Sequence, residues 1–221
     1  MFDMMVRGGP VMVPIALCSI LALAIVLERL WFLQRVTIDT RQFLDEVTTS
    51  IRRNKIVDAL DLCERTPGPV ASIVKAALAK HDRTRAEIKE AIEDAAAHQM
   101  PALEKHLRML GTLGHISPLL GLLGTVTGMV SCFQTVQEKS SAFSAVSPSD
   151  LAGGIWEALI TTVAGLVVAI PTYVAYNYLA SRVNDLIREM ERGGTEIVNL
   201  LTARGGELHE LVGRPQGGER E

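Results

Sequence analysis

The sequence predicts an all-α integral membrane protein, in which three transmembrane helices are joined to long helices that extend into a cytoplasmic helical domain. Of the 221 residues, 48% are hydrophobic and 21% are charged. This balance is too apolar for an ordinary soluble domain and too charged for a chain made only of membrane spans. The apolar residues form three nearly uncharged stretches, at 8–27, 109–137 and 151–181. Each has the roughly 20 residues that a helix needs to cross a bilayer.

Basic residues predict the side of the membrane that each segment faces. Residues 34–108 contain 13 Lys or Arg residues and residues 182–221 contain six, whereas the 138–150 loop contains only Lys139. The positive-inside rule places basic segments in the cytoplasm. We therefore expect the N-terminus and the 138–150 loop outside, and the C-terminus inside.

This orientation divides the chain into seven segments, four of which lie outside the bilayer. The expected segments are an amphipathic lead-in on the outer surface at 1–9, transmembrane helix 1 at 10–33, a cytoplasmic helical domain at 34–108, transmembrane helix 2 at 109–137, an outer loop at 138–150, transmembrane helix 3 at 151–181, and a cytoplasmic C-terminal helix with a disordered tail at 182–221. The first span is expected to remain as an uncleaved anchor, because no small-residue cleavage site separates it from a mature domain.

Turn and capping signals divide the cytoplasmic segment into helices. Residues 66–69 (TPGP) are typical of a break between two helices. Residues 84–87 (TRAE) match a capping box, so a helix should begin near Arg85. No turn signal follows, so we expect this helix to run on into the second span, with Pro101 as the place for a bend.

The third span has its own start and stop signals. Ser149 or Asp150 is a suitable N-cap. Beyond the membrane the helix is expected to continue as an amphipathic cytoplasmic helix. The pair Gly193-Gly194 is expected to interrupt it before a further short helix.

Glu157 is the only charged residue in the stretch 151–181. Placing an ionised side chain at the centre of a membrane helix costs roughly 2.5–3.5 kcal/mol on insertion scales. Such residues are usually retained for the passage of ions or protons, which makes Glu157 the main candidate for function. The alternative is a structural glutamate that is hydrogen-bonded to a neighbouring helix.

Three threonines are the other candidates for a proton pathway. Thr161 follows Glu157 by four positions and therefore shares its helix face. Thr162 points about 140° away from Glu157, at roughly 100° per residue. Thr125 lies in the second span. These hydroxyls either line a wet path near the carboxylate or bond to carbonyls of their own helices.

Small residues recur on one face of each of the last two spans. They are Gly114, Gly121, Gly124 and Gly128 in the second span, and Gly154, Ala158 and Gly165 in the third. Such faces allow membrane helices to approach closely. The contacts are either within one subunit or between subunits. We favour contacts between subunits, because a three-span protein has little of itself to pack against.

Several function classes are excluded by the motifs that the sequence lacks. It contains no GxxxxGK[ST], HExxH or GxSxG motif and no His/Cys cluster at metal spacing. The net charge of −3 gives no support for a nucleic-acid surface. The sequence thus predicts a non-enzyme that needs no metal or cofactor, has no nucleic-acid partner, and is surrounded by lipid.

Two blocks of sequence resemble a known family. Residues 118–129 (PLLGLLGTVTGM) resemble the second-span motif of the MotA/TolQ/ExbB proton-channel family, and residues 154–166 (GIWEALITTVAGL) resemble its third span. The sequence of the third span is most similar to that of ExbB. By position, Glu157 matches the third-span Glu of the family, Thr162 its third-span Thr, and Thr125 its second-span Thr.

The resemblance implies a homo-oligomer, expected to be a pentamer, in the bacterial inner membrane, with its outer segments in the periplasm. The ring is expected to surround the helices of an ExbD- or TolR-like single-span protein that carries a membrane Asp. Proton flow through this complex would energise outer-membrane transport through a TonB-like protein.

Three alternative hypotheses remain from the sequence. One is a TolQ-like subunit that acts through a TolA-like protein in envelope integrity and cell division. The second is an ion-coupled secondary transporter, although no internal repeat is found. The third is a passive membrane scaffold.

Overall fold

The structure, a computed structural model, describes residues 8–141 and 147–212, and for residues 149–150 and 204–212 it describes the backbone only. Seven helices occur in this described part. They are α1 (Met12–Val36), α2 (Thr40–Arg52), α3 (Ile56–Arg65), α4 (Pro69–Ala79), α5 (Arg85–Glu104), α6 (Leu107–Ser141) and α7 (Pro148–Val212). The same residues contain no strand, which confirms the predicted all-α class.

Three helical stretches of the described residues are long and apolar enough to cross a membrane. This agrees with the number of spans that the sequence predicts. The predicted lead-in lies outside the described residues except for Gly8 and Gly9, and the disordered tail expected from residue 213 onwards lies outside them entirely.

The chain divides into two compact units. The first comprises Met1–Leu30 and His106–Ala180, and the second comprises Trp31–Lys105 and Ser181–Glu221. Helices α1 and α7 each contribute residues to both units.

The second unit is a helical domain with its own apolar core. Helices α2 to α5 and the C-terminal part of α7 supply its side chains. The fully or nearly fully buried ones include Val47, Ile51, Ile73, Val74, Leu78, Ile88, Leu103 and Ile197. Because such burial removes apolar surface from water, it is the main source of stability for this unit. Two polar contacts between distant segments add to it. Thr40 Oγ1 donates to Glu189 Oε2 at 2.6 Å, and Gln99 Nε2 donates to Ser72 Oγ at 3.1 Å.

The glycine pair on α7 does not interrupt the helix, so this prediction was wrong. A side-chain carbon on Gly194 would lie 3.1 Å from Ile92 Cγ2, and one on Gly193 would lie 3.3 Å from Val70 Cγ1. The absence of side chains therefore allows α7 to pack closely on α4 and α5. This tertiary contact offsets the roughly 1 kcal/mol by which a mid-helix glycine is less favourable than alanine.

The predicted continuous helix from Arg85 into the second span was also wrong, and the break is not at Pro101. Pro101 lies inside α5, which ends at Glu104. His106 then adopts a left-handed φ of 62° before α6 begins. Its Nδ1 lies 3.0 Å from Glu28 Oε2. The turn is thus accompanied by a contact with a residue 78 positions earlier in the sequence. No local sequence signal predicts this turn.

The N-cap position of the third span lies at residue 147, two or three residues before the predicted Ser149 or Asp150. Helix α7 begins at Pro148. Ser149 and Asp150 therefore lie in its first turn and neither is the N-cap. Proline is well suited to a first helical position, because its fixed φ matches the helix and its missing N–H has no partner to lose there.

The other two local predictions are confirmed. Helix α3 ends at Arg65 and α4 begins at Pro69, with Gly68 at a φ of 118° between them. Helix α5 begins at Arg85 with the predicted capping box. Thr84 Oγ1 accepts from the Glu87 N–H at 3.3 Å, and Glu87 Oε2 accepts from the Thr84 N–H at 3.0 Å.

We expect Thr84→Ala to destabilise the first turn of α5 by about 1 kcal/mol, the usual effect of removing a threonine N-cap. Hydrogen bonds from the Thr84 side chain and backbone lower the pKa of Glu87 below its ordinary value. The contribution of Glu87 to stability is therefore present above the pKa of an unfolded glutamate and is lost as the pH falls through the lower, folded pKa. Amide hydrogen exchange of the first turn, measured against pH, should show a weaker acid dependence in Thr84→Ala, in which only the backbone N–H of residue 84 still donates to Glu87.

Thr195→Ala is the matched control for this prediction. The Thr195 hydroxyl is exposed and donates only to Glu191 O of its own helix at 2.8 Å. We expect its removal to leave the first turn of α5 unchanged. Equal exchange rates in Thr84→Ala and the unmodified protein would contradict the proposed role of the cap.

Candidate functional site

The first unit brings α6 and α7 together along their small residues. Gly121, Gly124 and Gly128 of α6 are buried. A side-chain carbon on Gly128 would lie 3.0 Å from Ala158 Cβ, and one on Gly121 would lie 3.0 Å from Thr162 Cα. The helices therefore meet almost backbone to backbone, which is how small faces stabilise helix pairs in lipid through dispersion.

Residues of α7 complete this contact from the other side. A side-chain carbon on Gly165 would lie 2.6 Å from Ser117 O, and one on Gly154 would lie 2.8 Å from Cys132 Cβ. Gly114 is less crowded, since its nearest neighbour would be Thr172 Cγ2 at 3.7 Å. The sequence analysis favoured contacts between subunits for these small faces. In the structure they lie against each other within one chain, so the small residues are already covered without a second copy of the protein.

Thr162 forms a hydrogen bond between the two helices. Its Oγ1 donates to Gly121 O at 3.1 Å. This contact can form because Gly121 carries no side chain. The bond fixes the register of α6 relative to α7.

Thr161 is 1% exposed and faces Gly124. Its Oγ1 donates to Ala158 O at 2.8 Å and approaches Glu157 O at 3.3 Å. The hydroxyl is therefore satisfied by its own helix. Within one chain, Thr161 is a buried packing residue.

Thr125 is half-buried and its Oγ1 donates to Leu122 O at 2.6 Å, again within its own helix. Neither Thr125 nor Thr161 forms a hydrogen bond with the Glu157 side chain. The structure therefore places the four predicted pathway residues on the same pair of helices without joining them into one hydrogen-bonded chain.

Glu157 is half-buried, at the edge of the α6–α7 contact. Its carboxyl forms no hydrogen bond or ion pair with any of the described residues, so the alternative of a glutamate bonded to a neighbouring helix gains no support from them. Gly9, before α1, lies beside this carboxyl. A side-chain carbon on Gly9 would overlap Glu157 Oε1 and would lie 3.0 Å from Glu157 Cδ.

Gly9 is the residue that sequence reasoning missed. It falls in the segment assigned to the surface lead-in, and a glycine pair before a proline (Gly8-Gly9-Pro10) is an ordinary turn signal. Its place beside Glu157 depends on a contact across 148 positions of sequence, which no local pattern reveals.

No group of three or more His, Cys, Asp or Glu side chains that could hold a metal ion occurs among the described residues. The chemistry that this part of the chain offers in the membrane is that of a single carboxyl on a closely packed helix pair. Such a fold and site define a multi-pass membrane protein with an intramembrane acid, the class in which ion-conducting proteins are found.

Comparison with known proteins makes this class specific. The model of the MotA/TolQ/ExbB proton channel family matches residues 65–192, more than half of the chain. The chain belongs to the MotA/TolQ/ExbB proton channel family and is most like ExbB. It is therefore a membrane protein of a family of proton channels, which are not known as enzymes.

Two curated relatives illustrate the likeness to ExbB. The putative biopolymer transport protein ExbB-like 3 of Synechocystis sp. is 34% identical over 174 residues, covering 79% of this chain and 82% of the relative. The putative biopolymer transport protein ExbB homolog of Methanothermobacter thermautotrophicus is 30% identical over 190 residues, covering 86% of this chain and 66% of the relative.

A solved structure supports the fold. The structure of C. jejuni MotAB aligns with a TM-score of 0.64 and 16% identity, covering 97% of this chain and 87% of that chain. At this identity the likeness concerns the fold alone.

Proposed function

We propose that this chain is the proton-conducting subunit of an inner-membrane complex that couples the proton motive force to outer-membrane transport through a TonB-like protein. The observation that carries the proposal is Glu157, the one charged residue in 151–181, whose half-buried carboxyl forms no polar contact with the described residues. Because burying such a group is costly, its retention is best explained by the uptake and release of a proton.

The proposed mechanism places several copies of Glu157 around a common space in a homo-oligomer, for which we propose a pentamer. A single-span partner of the ExbD or TolR type would bring its own membrane Asp into this space. Neighbouring carboxyls interact strongly, so the group would titrate as a set. The membrane potential supplies about 2.3 kcal/mol per charge per 100 mV, which is several times the thermal energy.

The threonines have separate proposed roles. Thr162 holds α6 and α7 in register through Gly121 O, and this fixes the height of Glu157 relative to the second span. Thr125 is half-buried near the same contact, where its hydroxyl oxygen can also accept from water. Thr161 fills the space above Gly124 and supports the helix turn that carries Glu157.

The proposed topology places the N-terminus and the 138–150 loop in the periplasm and the C-terminus in the cytoplasm. The distribution of basic residues supports it, because the 34–108 and 182–221 segments are rich in Lys and Arg. The seven segment boundaries given above belong to the same proposal.

Complementation tests the transport role. The chain is expressed, with its single-span partner, in one Gram-negative strain that lacks ExbB and TolQ. Our proposal predicts recovery of energy-dependent uptake across the outer membrane, measured with a radiolabelled iron chelate. Recovery of detergent resistance without recovery of uptake would instead support the TolQ-like alternative, and recovery of neither would contradict both roles.

A further inference from the structure

A tight turn precedes the first transmembrane helix. Gly9 has a φ of +67°, in the left-handed region that favours glycine. The Met12 N–H donates to Gly9 O at 3.2 Å, and the Val13 N–H donates to Pro10 O at 3.3 Å. These bonds tie the turn to the first residues of α1, so its backbone has a defined position.

This turn lies against the carboxyl of Glu157. A side-chain carbon on Gly9 would overlap Glu157 Oε1, with Glu157 Cδ at 3.0 Å and Cγ at 3.6 Å. Glycine is favoured at this position by its φ, and a side chain there would have to displace the Glu157 carboxyl from the place that it occupies.

We propose that Gly9 is a positioning residue for Glu157, and this inference rests on the proposed function of that glutamate. A glutamate side chain has three rotatable bonds, and the Glu157 carboxyl forms no polar contact with the described residues that would select one rotamer. The bare backbone of Gly9 restricts it by steric contact instead. Proton transfer needs donor and acceptor within hydrogen-bond reach, so a fixed carboxyl position favours the step.

The simpler explanation is that Gly9 serves only the turn. The two explanations differ in one respect, because a turn glycine has no energetic coupling to Glu157. A double-mutant cycle measures that coupling. The variants Gly9→Ala, Glu157→Ala and the pair are prepared in the full-length protein, and the midpoint of thermal unfolding is measured in detergent.

We expect Gly9→Ala to lower the unfolding midpoint more when Glu157 is present than when it is replaced by Ala, because the carboxyl must move to make room for the added methyl group. In the Glu157→Ala background only the left-handed strain of alanine remains. Equal shifts in both backgrounds would show that Gly9 serves the turn alone and would overturn the proposal. This result is independent of whether the protein conducts protons.

Function provides the second readout. A 1 Å displacement of a reacting group can cost about a hundredfold in rate, so we expect Gly9→Ala to reduce proton flux about ten- to a hundredfold in vesicles that contain the whole complex. The rate at which a carbodiimide modifies Glu157, followed by mass spectrometry, should change as well. Gly153→Ala is the matched control, since a side-chain carbon there meets no atom within 4 Å.

Glu157→Asp keeps the test informative if Gly9→Ala folds poorly. Aspartate is one methylene shorter, so its carboxyl withdraws from the added methyl group. We expect the double variant Gly9→Ala/Glu157→Asp to regain folded complex and to be modified by carbodiimide at the rate of Glu157→Asp alone. No recovery, together with no coupling in the cycle, would overturn the positioning role even if Glu157→Gln abolishes flux.

Discussion

Glu157→Gln is expected to reduce proton flux by about a hundredfold or more, the range associated with losing a positioned proton-transfer group. Glutamine has nearly the same shape as glutamate but cannot gain and lose a proton near neutral pH. The packing of α6 on α7 should therefore be preserved while the chemistry is lost. The measurement is acidification of vesicles that contain the purified complex, under an imposed membrane potential and with a pH-sensitive dye inside.

Glu138→Gln is the matched control for this result. Glu138 is an exposed carboxylate near the end of α6, outside the predicted span. Removing it changes the net charge by the same amount, and we expect flux to stay within twofold of the unmodified protein. Full flux in Glu157→Gln, with the complex intact, would show that the proton takes a route that does not include this carboxyl.

Gly165→Ala is expected to destabilise the helix pair by about 1–3 kcal/mol, the usual cost of overpacking a tight interface. The added carbon would lie 2.6 Å from Ser117 O and 3.1 Å from Gly121 Cα. Both are backbone atoms, which cannot rotate away as a flexible side chain can. Thermal unfolding in detergent and the yield of folded complex on size-exclusion chromatography would measure the effect.

Gly114→Ala provides the comparison on the same interface. A carbon added at Gly114 would find its three nearest neighbours at 3.7–3.8 Å, which is ordinary van der Waals contact. Alanine is also a better helix former than glycine by up to about 1 kcal/mol. We expect this variant to be neutral or slightly more stable. A loss as large as that of Gly165→Ala would mean that the interface is not packed as described.

Local signals predicted those parts of the fold that depend on local chemistry. The TPGP break and the capping box at Thr84 require only neighbouring residues, and both are found in the structure. The glycine pair at 193–194 led to a wrong prediction of a helix break, because its role is to leave room for the side chains of Ile92 and Val70. The break at His106 was missed because its partner, Glu28, is far away in sequence. These two errors concern places where a tertiary contact prevails over local propensity, whereas the misplaced N-cap of α7 reflects the local fit of Pro148 to the first helical position.

The candidate site was predictable to a similar extent. Glu157 is evident from sequence because a lone charge in an apolar span has a large energetic cost. The helical angle of Thr162 showed that it points away from the Glu157 face but could not identify Gly121 O as its acceptor. The sequence favoured contacts between subunits over packing within one chain, and the structure shows that α6 and α7 cover each other's small faces. Sequence shows which face is small, whereas only the three-dimensional structure shows what lies against it.

The interlocked glycines of α6 and α7 have a consequence for movement. From Gly111 to Gly128 the two helices are in contact over about 25 Å of α6, and sliding one past the other would force backbone atoms into overlap. The two helices should therefore move together as one rigid body. Any displacement that accompanies the passage of a proton must then occur where the outer faces of this helix pair meet other helices, and not between α6 and α7.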